Sequence, residues 1–120
     1  MMTYENLLTN AISDVPAFAK EYQRLMDADM IDSNTGNHIV FGYAFTPVLI
    51  GAINATEKSV VRGMLAFLEK MASSDDVRVV EVCDQSVLEE LNDEVDWKDL
   101  RGLMGPKTKE GLVAIKEYMY

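Results

Sequence analysis

The sequence predicts an all-α fold: one domain over residues 1–120, built of six or seven short helices stacked as helical hairpins in the manner of a helical repeat. Three observations predict it. Thr56 to Leu91 holds two apolar patterns of helical period split by Ser73-Ser74-Asp75-Asp76, the mark of an antiparallel helix pair. Capping and breaking residues divide the rest of the chain at helix-length intervals. Outside His38 to Phe45, no segment reads as a strand once capping and spacing are weighed together.

Taken in order, Thr3 to Ile12 reads as a first helix, with Leu7, Leu8, Ala11 and Ile12 at helical spacing. Ser13 and Asp14 have the chemistry of caps, and Pro16 suits a first helical turn. The second helix runs to about Asp29, and Asp32 to Asn37 is a loop by composition. His38 to Phe45 is apolar and aromatic, and it fits either a strand or a helical turn. Pro47 places a break there, with Thr46 as N-cap and a helix to about Asn54.

Thr56 is the expected cap of the next helix, whose buried face carries Val60, Val61, Met64, Leu65, Phe67, Leu68 and Met71. Ser74 is the expected cap of its partner, with Asp75 and Asp76 in the first turn, where the helix dipole favours acids. The run Val77 to Val82 is β-branched enough for a strand, but helical spacing continues to Leu91. Asp96 to Met104 reads as a short helix ended by Gly105 as a left-handed C-cap, and Pro106 or Lys107 opens a last helix through Met119.

Composition bounds the function. A length of 120 residues supports one core, and the 48% hydrophobic and 26% charged fractions are those of an ordinary globular domain. The start, Met1-Met2-Thr3-Tyr4-Glu5, lacks a basic region followed by an apolar run. The apolar stretch Ile39 to Ile53 is too short for a membrane span. A single cysteine allows no intramolecular disulfide and no cysteine-rich zinc site. The expected location is the cytoplasm. A net charge of −9 repels nucleic-acid backbones and anionic membranes, so neither is an expected partner, whereas a basic protein is attracted.

Chemistry is sparse. There is no phosphate loop, no His-Glu-x-x-His and no serine elbow. His38 and Cys83 are each single and could pair as base and nucleophile, but Cys83 lies on an apolar helix face, where cysteine acts as a small hydrophobe. The Asp32 loop misplaces the glycine of a calcium loop and has Tyr43 where a bidentate glutamate is required. No cofactor, metal or catalytic residue is expected.

Two surfaces remain. Asp84 to Asp99 carries seven acids against the one base Lys98, and the chain turns basic after Leu100. Asp84, Glu89, Glu90, Asp93 and Glu94 are therefore the first candidate for a partner-binding surface. The competing arrangement neutralises them within the chain through Arg101, Lys107 and Lys109. His38, Phe41 and Tyr43, near Phe45 and Pro47, form the second candidate, against the alternative that this apolar segment is core.

Several patterns occur together: Phe41-Gly42 followed by Pro47-x-Leu49; Phe67-Leu68-Glu69-Lys70-Met71-Ala72-Ser73-Ser74-Asp75; Val87-Leu88-Glu89-Glu90-Leu91; and Met104-Gly105-Pro106-Lys107-Thr108. In this order, over roughly Ile39 to Leu112, the chain resembles a family of small uncharacterised bacterial helical proteins, some regarded as immunity-like antidotes to toxins. Leu103 departs from the pattern, which has an aromatic before Met104. The resemblance implies a helical fold and no catalytic residues. The expected function is thus a non-enzymatic protein-binding module, an immunity-like protein that neutralises a basic toxin. The alternatives are a housekeeping scaffold or regulatory subunit that binds a protein in a helical groove, and a small enzyme.

Overall fold

The computed structural model describes residues 2–95 and 100–119, and within them the chain forms six helices and no strand. The first two, α1 (Leu7–Asp14) and α2 (Pro16–Asp27), meet at Val15. The Val15 N–H closes α1 on the Ala11 carbonyl, and Pro16 takes the first position of α2, where a missing N–H costs nothing. Ser13 and Asp14 are not caps; they lie in the last turn of α1. The first helix also starts later than its spacing predicts. Asn6 Oδ1 accepts from the Thr3 N–H (2.7 Å), and this local bond holds the preceding residues in a turn. At the end of α2, Asp29 takes a left-handed backbone (φ 57°), and Met30 N–H reaches back to the Leu25 carbonyl. That is a Schellman closure on a residue type that tolerates it.

His38 to Phe45 is helix. Asn37–Val40 is α-helical, Phe41–Phe45 is π-helical and Thr46–Asn54 is α-helical, in one continuous element, α3 (37–54). The Thr46 N–H reaches five residues back, to the Phe41 carbonyl. Thr46 has helical backbone angles (φ −62°, ψ −50°), so it is not an N-cap, and Pro47 sits within a continuous helix. The wide π turn just ahead of the proline relieves the crowding that its ring would impose on an α-helical turn. Thr56 is likewise not an N-cap. Its φ is 57°, and it closes α3 by a second Schellman arrangement, Thr56 N–H to Ile53 and Glu57 N–H to Ala52.

The helix pair expected over Thr56 to Leu91 is present as α4 (Lys58–Ala72) and α5 (77–94). Cys83 Sγ donates to the Leu68 carbonyl at 3.7 Å, a contact that requires the chain to reverse between them. Asp76, not Ser74, caps α5 by accepting from the Arg78 N–H. Ser74 instead donates to the Met2 carbonyl (2.7 Å). Asp76 also accepts from Tyr4 N–H (2.9 Å) and from the Arg78 guanidinium, which lies 5.0 Å from the Tyr4 ring centroid and pairs with Glu5. This cluster holds the N-terminal segment against the start of α5. Chiefly through the Arg78 hydrogen bond, it brings the Asp76 carboxyl down to about 2.

Val77–Glu81 is α-helical, as the spacing requires, and α5 then passes through a second π segment, Val82–Leu88, into Glu89–Glu94. Of the expected helix Asp96 to Met104, Asp96 to Asp99 lie outside the described residues, and Arg101–Leu103 is one 3-10 turn. Gly105 is not a left-handed cap, since no described glycine has positive φ. It leads directly into α6 (Pro106–Met119).

The core forms where α2, α3 and α4 converge. Phe18, Phe41, Phe45 and Phe67 lie against one another with ring centroids 5.2–6.0 Å apart, within the range of favourable aromatic pairs. The two π segments pack side by side. Across them the Thr46 hydroxyl donates to the Ser86 carbonyl (2.7 Å), and His38 Nδ1 hydrogen-bonds Ser86 Oγ (2.9 Å). A π turn loosens the regular ladder, and the buried Thr46 hydroxyl gives the Ser86 carbonyl a donor from the neighbouring helix.

Candidate functional site

The acidic residues of α5 fall into two rows, Glu89 with Asp93 and Glu90 with Glu94 by α-helical spacing, and the π segment brings Asp84 into line with the first. The Glu89 N–H donates to the Asp84 carbonyl five residues back, which stacks these two side chains one turn apart. Asp93 follows Glu89 at α-helical spacing, so Asp84, Glu89 and Asp93 share a row on the side of α6. Asp84 stands there opposite Gly111: a Cβ at that glycine would meet Asp84 Oδ1 at 2.9 Å. Burial, and then the charge of Glu89, raise the Asp84 carboxyl above its ordinary range.

Glu90 and Glu94 form the other row, turned toward α3. Glu90 Oε1 lies 3.5 Å from where a Cβ at Gly42 would be, and burial raises this carboxyl also. Among the described residues, no ion pair joins Asp84, Glu89, Glu90 or Glu94 to a cation. Lys107 pairs instead with Glu110 of its own helix (3.5 Å).

The second candidate surface is split by burial. Phe41 is core: it is fully buried and stacked on Phe18 and Phe45, so it cannot meet a partner. Phe41, Ala44 and Phe45 face inward, and Tyr43 on the opposite side is 62% exposed. Ile39, one turn earlier and not singled out by the sequence, is 52% exposed. His38 is half-buried and engaged with Ser86, while Cys83 Sγ is turned to the Leu68 carbonyl. Cys83 is fully buried, and burial pushes its thiol well above the ordinary range, which suppresses the thiolate that nucleophilic chemistry needs. Ser86 and Thr46 carried no signal in the sequence, because their partners lie 40 or more positions away across two π turns.

The Met104-Gly105-Pro106-Lys107-Thr108 element is a structural clasp. Glu69, from the Phe67-Leu68-Glu69 pattern, reaches the open end of α6. It accepts from Lys107 N–H (3.1 Å), Thr108 N–H (2.9 Å) and Thr108 Oγ1 (2.9 Å). Pro106 has no N–H to leave unpaired, and Gly105 leaves the space that the carboxyl occupies. Burial pushes the Glu69 carboxyl up, but the hydrogen bonds from Thr108 and Lys107 outweigh it and hold the group below its ordinary value. Two sequence patterns 35 or more positions apart are thus the two halves of one interaction.

An apolar cleft of about 510 Å³ lies between Val61 and Leu103, with Lys58 and Arg62 at its edge and Thr56 in its wall. Among the described residues, no group of three or more His, Cys, Asp or Glu is placed to hold a metal ion. No described helix is long and apolar enough to cross a membrane. The Asp32 loop is an exposed turn closed on itself, with Asp32 Oδ1 accepting from the Asn34 N–H (2.8 Å).

A family model described as a domain of unknown function, DUF7674, matches residues 8–119. No curated protein and no solved structure matches the chain.

Proposed function

The chain belongs to the DUF7674 family of unknown function, and we propose that it is a non-enzymatic, cytoplasmic protein-binding module that captures a basic protein through the acidic face of α5. One observation carries the reading. Glu90 stands exposed on the α3 side of α5 and Asp84 is half-buried on the α6 side; among the described residues no ion pair joins either to a cation, and desolvation raises both carboxyls. A carboxylate that loses hydration without gaining a counter-charge is stabilised when a partner brings one. The −9 field of the whole chain accelerates the approach of such a partner. A toxin with a basic surface fits this chemistry, and an immunity-like role is the biological form proposed for it.

The test begins with affinity capture from the native host. The captured protein is then measured for association rate against salt, with wild-type protein and an E90K/E94K variant. The expected partner is basic, its association slows steeply between low and physiological salt, and the variant captures it more slowly still. For the immunity-like role, co-expression must also restore growth to cells producing that partner. A partner whose binding is indifferent to salt and to both reversals refutes the assignment of this surface.

A further inference from the structure

We infer that Ile39 and Tyr43 of α3, bordered by Glu90 and Glu94 of α5, form one composite docking surface for a basic amphipathic helix of a partner protein. This rests on the reading of the chain as a protein-binding module and names its surface.

The apolar part comes from the outer face of α3. Phe41, Ala44 and Phe45, at i, i+3 and i+4, share the buried stripe of the helix. Tyr43 is left standing out, one turn from the exposed Ile39 and one turn before the exposed Pro47. At roughly 1.5 Å rise per residue the ridge is about 12 Å long. That length matches the i, i+4, i+7 anchors by which an amphipathic helix is recognised. A large aromatic side chain held by a rigid helix is the residue type that dominates interface energy when a partner covers it.

The charged part lies alongside. The Glu90 carboxylate rests beside Gly42, 3.5 Å from where its Cβ would be. Glu94 follows one turn later. From 37 to 54 the chain has no Lys, Arg, Asp or Glu, so the acids of α5 set the sign of this surface. His38, the one titratable group that α3 presents toward α5, is bonded to Ser86. Apolar anchors with carboxylates along one edge are complementary to a helix with leucine-like residues on one face and lysine or arginine beside them. A second copy of the chain is a poor occupant, since a two-fold contact brings the same acids face to face. Asp84 lies on the α6 side and is not part of this surface.

The experiment titrates the full chain, labelled with nitrogen-15, with an 18-residue helical peptide of leucine and lysine, and repeats it with glutamate in place of lysine. Expected are amide shift changes centred on Ile39, Tyr43, Glu90 and Glu94 with the lysine peptide only. Tyr43→Ala, an exposed substitution, should weaken binding about tenfold, the order expected of an interface anchor. E90K/E94K should weaken it with loss of salt dependence. Changes centred on Asp84, Glu89 and Asp93, or binding indifferent to Tyr43→Ala, overturn the composite surface while leaving capture through acidic α5 standing. Absence of binding by the lysine peptide also overturns it, whereas the broader reading falls only on the capture experiment.

Discussion

Removing the carboxylate that closes α6 tests how the chain holds its last helix. Glu69 accepts three hydrogen bonds from Lys107 and Thr108. A lost helix cap costs about 1–2 kcal/mol in proteins, and a negative charge at a helix N-terminus adds about 0.3–1 kcal/mol when exposed. Glu69→Ala is therefore expected to lower stability by about 1–2 kcal/mol, after allowance for the partial exposure of this group. Gly105→Ala should cost about the same, because its Cβ would occupy the space of the Glu69 carboxyl.

Gly105 has no positive φ, so alanine introduces no backbone strain of its own there. In the Glu69→Ala background the steric conflict is gone, and Gly105→Ala should become neutral or stabilise by about 0.4–1 kcal/mol through the unfolded chain. The assay is urea unfolding of the four proteins at constant m-value. A midpoint shift of about 0.5–1 M is expected for each single variant, with strong non-additivity in the double. Because the Glu69 carboxyl is held below its ordinary value, its contribution is complete above pH 4.5 and fades as pH falls through the lower folded value. Costs that simply add in the double variant would refute the clasp.

Two further outcomes follow from the same reasoning. The Asp76 carboxyl is lowered from 3.8 to about 2, so its stabilising effect is present above pH 3.8 and is lost as pH falls toward 2. Asp76→Asn should be less stable at neutral pH and show a shallower acid transition in that window, measured by circular dichroism; an unchanged pH profile would exclude the cluster as a source of acid sensitivity. Thr56 is a β-branched residue at φ 57°, so Thr56→Gly should stabilise by about 1 kcal/mol in thermal unfolding, and a destabilised variant would show that the side chain makes a contact worth more than its strain.

The sequence by itself determined the all-α class and most of the helices, but left His38 to Phe45 open and split α3 at Thr46. Periodicity placed α4 and α5 and the reversal between them, and Pro16 and Pro106 marked the starts of α2 and α6 because proline fits only the first turn without loss. It rightly excluded a strand at Val77 to Val82, since apolar spacing over three turns outweighs β-branched propensity. It also isolated the acidic stretch of α5, because composition needs no coordinates.

What only tertiary structure decided was everything that depends on a distant partner. Thr46, Thr56 and Ser74 have the chemistry of N-caps, but one bonds Ser86, one closes the preceding helix and one ties down Met2. A hydroxyl takes whichever backbone group the packing presents, so local sequence cannot assign it. The π segments were invisible for a related reason: each inserts a residue into the register and is supported by packing against the other. The second of them brings Asp84 into line with Glu89. The Gly-Pro-Lys-Thr element could be read as a motif but not as a clasp, because the carboxylate that explains it lies 38 positions away on another helix.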